Sequence, residues 1–63
     1  MNSEHLKVEL LDVRSRIESL CAYIKIDGDF SELGHEGQRL VHLQIAMLYD
    51  LESIIGARIR ESW

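Results

Sequence analysis

The chain has 63 residues, with seven Lys and Arg against eleven Asp and Glu, and a formal charge of −4. That length allows one small domain over 1–63. The interleaving of acids and bases, with no basic stripe, argues against a dedicated binder of nucleic-acid polymer or of an anionic membrane. A single cysteine, Cys21, excludes an internal disulfide and suits a reducing cytoplasm.

Taken in order, the N-terminus MNSEHLKVE has no apolar core, so a secretory signal is not expected. Asn2 or Ser3 can cap a helix, with Glu4 favourably placed for the helix dipole. Leu6, Leu10, Val13, Ile17, Leu20 and Ile24 then recur at alternating spacings of four and three, a coiled-coil seam. Val8, Leu11, Ala22, Tyr23 and Ile26 lie off that seam. Asp27-Gly28-Asp29 is the strongest turn signal. Gly28 tolerates a positive φ that would end the helix, and Asp29 with Glu32 resembles a capping box. Phe30 to Leu33 reads as one helical turn that plugs the tip of the hairpin.

The second long helix is expected from about residue 36 to 62. On a wheel of about 100° per residue, its stretch Leu40 to Trp63 carries an apolar arc roughly 200° wide, against the ~100° of an ordinary surface helix. No uninterrupted apolar run approaches the ~20 residues of a membrane span. The fold class expected is all-α: an antiparallel two-helix hairpin, helices about 3–26 and 36–62, with a one-turn helical tip. One partner helix cannot cover so wide an arc, and a chain this short needs a staple, so assembly into an oligomeric bundle follows. Leu40, Val41, Ile45, Met47, Leu48, Ile55, Ile59 and Trp63 are the expected interface residues.

Chemistry-bearing patterns are weak. His35, His42 and Tyr49 recur every seven residues, about 10 Å apart along a helix, too far for a metal pair. Cys21 has no positioned base, and Asp50 and Glu52, two apart, do not face each other. No enzyme, metal or cofactor is expected. The informative anomalies are Gln44, Glu52 and Arg58, polar residues inside the apolar arc. They either fix register across an interface or line a polar pocket between subunits. In the second case Arg58, with Arg14, Arg39 or Arg60, could fork onto phosphate, while Tyr49, Tyr23 or Trp63 stacks on a base. The candidate ligand-binding residues are therefore Arg58, Gln44, Tyr49, Arg14, Arg39 and Arg60.

The combination of Tyr23-Ile24, Phe30, Leu33, Gln38, Gln44, Met47, Arg58 and Ile59 along two helices resembles a family of very short phage and prophage proteins. The resemblance implies a phage origin and the cytoplasm of an infected bacterium. Small oligomeric helical phage proteins are often counter-defence factors, some of which sequester a cyclic nucleotide or related immune signal between subunits. By that architectural analogy the expected function is sequestration of a small nucleotide-type signal. The alternative is an interaction module that inhibits or adapts a host or phage protein. A structural part of the phage is a third reading.

Overall fold

The computed structural model describes residues 3–26 and 28–62. They form three helices, α1 (Glu4–Ile26), α2 (Gly28–Glu32) and α3 (His35–Glu61), with no strand among the described residues. The long helices match the expected spans to within a residue or so at each end. They lie side by side in a rod of 46 × 17 × 12 Å. Their direction is antiparallel: Arg14 of α1 meets Glu52 of α3, while nearer the turn Phe30 touches both Tyr23 and His42.

The α1 seam is used as its spacing predicts. Leu6, Val13 and Ile17 are buried, and Leu10 and Leu20 pack half-buried against them. From α3 they receive Leu48 and Ile55, with Ile59 packed alongside. Val41 and Ile45 are half-buried on the same side of α3. This gives α3 a seam of its own, 41-45-48-52-55-59, in the same alternation of four and three that lets two helices mesh. Ile55 is fully enclosed, a burial worth roughly 1.5–3 kcal/mol. Cys21 is a half-buried free thiol beside this core. Leu48 and Ile55, expected at a subunit interface, are thus spent within the chain, because the α1 seam is long enough to cover them.

The connection differs from its expected mechanism. Gly28 does not end α1 with a positive φ; no described glycine has one, and Gly28 is instead the first residue of α2. Asp29 consequently sits inside α2 rather than at a cap, and the Ser31 hydroxyl donates to the Gly28 carbonyl at 2.7 Å. Asp27 and the expected cap Asn2 lie outside the described residues. Ser3 is buried just before α1, and its carbonyl accepts the Lys7 N–H at 3.0 Å.

Gly34 enters α3 in an extended conformation with no side-chain cap. The Gln38 amide, in the first turn of α3, instead ties that helix to the end of α2. Its Nε2 donates to the Leu33 carbonyl at 3.1 Å and to the Phe30 carbonyl at 3.3 Å, the latter also accepting the Leu33 N–H at 3.1 Å. Gly37 lets Leu33 lie close on the first turn of α3: a Cβ at 37 would come within 3.1 Å of Leu33 Cβ. Phe30 meets Tyr23 edge-on at 5.9 Å and His42 edge-on at 5.7 Å, so the tip is plugged by an aromatic as its sequence implies. At the far end Ser62 closes α3, its N–H shared between the Arg58 and Ile59 carbonyls.

By length and composition alone, α3 is long and apolar enough to cross a bilayer, although it holds no uninterrupted apolar run of that length. The interruptions explain the difference. Gln44, Asp50, Glu52 and Ser53 punctuate the stretch, and Glu52 is committed to Arg14 of the adjoining helix.

Candidate functional site: the two flanks of the third helix

With one side of α3 occupied by α1, two flanks remain, and they differ in chemistry. The first holds a groove of about 250 Å³ lined by Arg14, Ile17, Glu18, Tyr49 and Glu52. Arg14 Nε donates to Glu52 Oε2 at 2.9 Å. Glu52 is only about a quarter exposed, so the pair is partly shielded from water. The lining presents two carboxylates and one guanidinium that is already paired. An anionic ligand would meet net negative charge there.

The second flank is apolar. Leu40, Leu43, Met47, Leu51 and Ile54 form an unbroken stripe, each between 37% and 64% exposed. The wheel places it about 120° round from the side facing α1. Its apolar length, Leu40 to Ile54, is about 21 Å at 1.5 Å per residue. On α1, Val8, Leu11 and Ile26 are also exposed, but Ile26 stands some four turns from the other two and they form no stripe. Continuity of this kind distinguishes the flank from the scattered exposed side chains of α1.

The six residues expected to bind a ligand do not converge within one chain. Arg14 and Tyr49 share the groove. Arg39 is at the start of α3, exposed, and bound by both its Nε and Nη2 to the Glu36 carboxylate at 3.0 and 2.6 Å. That contact lowers the Glu36 pKa and raises that of Arg39. Gln44 is exposed at the margin of the apolar stripe. Arg58 is exposed in line with the stripe at its C-terminal end, and its guanidinium makes no ion pair among the described residues. Arg60 is exposed near Gly56 in the last turns of α3.

Of the expected interface residues, Leu40 and Met47 are open to solvent, and Trp63 lies outside the described residues. Leu48, Ile55 and Ile59 pack in the core with α1, and Val41 and Ile45 are half-buried on the same side of the helix. Leu43, Leu51 and Ile54, which share the apolar arc but are not among the expected interface residues, are open as well. The signal for them was present: removing the seam 41-45-48-52-55-59 from the apolar arc leaves 40-43-47-51-54. Glu52 also changes role. It lies in the intrachain seam, where its bond to Arg14 fixes the register of the hairpin itself.

Among the described residues no group of His, Cys, Asp and Glu side chains is placed to hold a metal ion. No protein-family model matches the chain, and neither a curated protein nor a solved structure is similar enough to it to match.

Proposed function

We propose that the chain is a binding module with no catalytic machinery of its own, acting by protein–protein contact through the α3 stripe, and that it works as part of an assembly. The observation that carries this reading is the unbroken exposure of Leu40, Leu43, Met47, Leu51 and Ile54 beside a hairpin core already complete without them. Covering such a face removes apolar surface from water at about 25 cal/mol per Å². The resemblance to short phage proteins would place the partner in an infected bacterium. Sequestration of a nucleotide-type signal draws no support from the groove, whose carboxylates outnumber its one guanidinium.

The test is site-specific photo-cross-linking in cells that express the chain. A photoreactive side chain at Met47 should yield a covalent protein adduct, of whatever identity. The same group at Asp12, on α1, should yield none. Equal labelling from both sites, or no protein adduct from Met47, would sink the reading.

A further inference from the structure

The α3 stripe reads the same in both directions from Met47. Four residues away stand Leu43 on one side and Leu51 on the other. Seven away stand Leu40 and Ile54. Eleven away stand Glu36 and Arg58. All seven positions fall on one face of the helix, since offsets of four, seven and eleven residues return close to the starting angle. Its apolar members are all exposed. The ends of the pattern are opposite in charge: Glu36 in the first turn of α3, Arg58 in its last.

We infer that the occupant of this face is a second copy of the chain, docked antiparallel along α3 with a two-fold axis through Met47. The inference rests on the reading of α3 as a protein-contact surface and names its partner. In that register Met47 meets Met47 of the second copy. Leu43 lies against Leu51 of the second copy, Leu40 against its Ile54, and Glu36 against its Arg58. Met47 pairs with itself once, on the axis, and every other pairing occurs twice, as a two-fold interface requires. A parallel arrangement would instead set Glu36 against Glu36 and Arg58 against Arg58, and would align the helix dipoles unfavourably. Glu36 already holds Arg39 of its own chain. A carboxylate has about four acceptor positions, so it can bridge Arg39 and the incoming Arg58, whose guanidinium makes no ion pair among the described residues.

The face from Glu36 to Arg58 is about 33 Å long and one helix wide, roughly 10 Å. That footprint belongs at the small end of specific interfaces. The dimer should therefore be reversible, forming in the micromolar range and dissociating on dilution. Oppositely charged ends give the register, and the five apolar layers give the affinity.

The experiment is sedimentation velocity of the purified chain from about 5 to about 500 µM, a range chosen to bracket a reversible small interface. Circular dichroism confirms that each variant keeps its helices. Wild type should pass from monomer to dimer. Met47→Asp should weaken the dimer at least about 100-fold by placing two carboxylates on the axis. Glu36→Arg and Arg58→Glu should each weaken it about tenfold or more by setting like charges opposite. The double variant Glu36→Arg/Arg58→Glu should return to near wild type. It lacks the Glu36–Arg39 pair just as the single variant does, so its recovery reports the contact between copies.

A wild type that stays monomeric throughout, or single charge variants that dimerise unimpaired, would overturn the inference. So would a double variant no better than the singles. If wild type is monomeric while Met47 still cross-links a different protein in cells, only the self-pairing falls. If wild type is monomeric and floats with lipid vesicles but Met47→Asp does not, the occupant is a bilayer and the protein-contact reading falls too.

Discussion

Arg14 and Glu52 stand 38 positions apart in sequence and 2.9 Å apart in space. Glu52 occupies a place in the α3 seam that every neighbour in the pattern would fill with an aliphatic side chain. The bond therefore acts as a key: sliding α3 by one turn would carry Glu52 away from Arg14 and leave a carboxylate facing the α1 seam. Because Arg14 is more than half exposed, the pair contributes specificity more than energy.

A double-mutant cycle on Arg14→Ala and Glu52→Ala should give a coupling of about 0.5 kcal/mol, in the range of partly exposed pairs. Urea denaturation at low and high salt measures it. The coupling should shrink as salt rises; a coupling of several kcal/mol would mean the pair is far better shielded than its exposure indicates.

Ile55→Ala should be the most damaging single truncation in α3. The side chain is fully enclosed. Loss of its methyl groups in a core of few buried residues costs about 2–5 kcal/mol. Thermal unfolding followed by circular dichroism should show a largely unfolded chain at room temperature, or a midpoint depressed far below wild type. A drop of only a few degrees would show that the core collapses around the gap.

The two interior glycines of α3 should respond differently to alanine. At Gly56 a Cβ meets only the flexible end of Arg60 at 3.7 Å, so the gain is the helix-propensity difference of about 0.8–1 kcal/mol. At Gly37 the same Cβ comes within 3.1 Å of Leu33, whose position is tied to α3 through Gln38. The chain should therefore gain several degrees in melting temperature from Gly56→Ala and distinctly less, or lose stability, from Gly37→Ala. Equal gains would mean that the tip yields freely.

Glu36 should titrate below the ordinary glutamate value of 4.5, because Arg39 donates two hydrogen bonds to its carboxylate. Its folded pKa being depressed, the pair stabilises the start of α3 above the unfolded value. That contribution is lost as pH falls from about 4.5 through the folded value. Carboxyl-detected NMR titration reads the midpoint directly, and Arg39→Ala should return it toward 4.5. An unchanged midpoint in that variant would assign the depression elsewhere.

The helices were legible because their causes are local and periodic. The α1 seam, the absence of proline and the turn signal in the Asp-Gly-Asp sequence are enough to place both long helices to within a residue or so at each end. The wheel separates the arc of α3 into two sets, but does not say which of them turns toward α1. Leu48 and Met47 are adjacent in sequence and equally apolar, yet one is buried against α1 and the other is open. Only the register set across the hairpin, by Arg14 and Glu52 and by the mesh of the two seams, decides which is which. Gln38 is a similar case. A glutamine in a first helical turn has no fixed role until the carbonyls of Phe30 and Leu33 are brought within reach. The groove residues Arg14 and Tyr49 lie on different helices, so no spacing rule could have joined them.

The position of the best-packed side chains has a kinetic consequence. Leu6, Val13, Ile17, Leu48 and Ile55 run from the middle of the hairpin to its open end, whereas the residues around the turn are half-buried or exposed. A hairpin with its tightest layers at the turn could zip from there, each step closing a short loop. Here the layers that hold the chain together join segments roughly as far apart as Arg14 and Glu52, 38 positions. The entropy of closing that longer loop must be spent before the strongest contacts form. The tip, with Gln38 and Phe30, then serves to limit the angles at which α3 can return. The two helices must each be largely wound before they meet, and the rate of folding should follow helix content in the unfolded chain more closely than the strength of the turn.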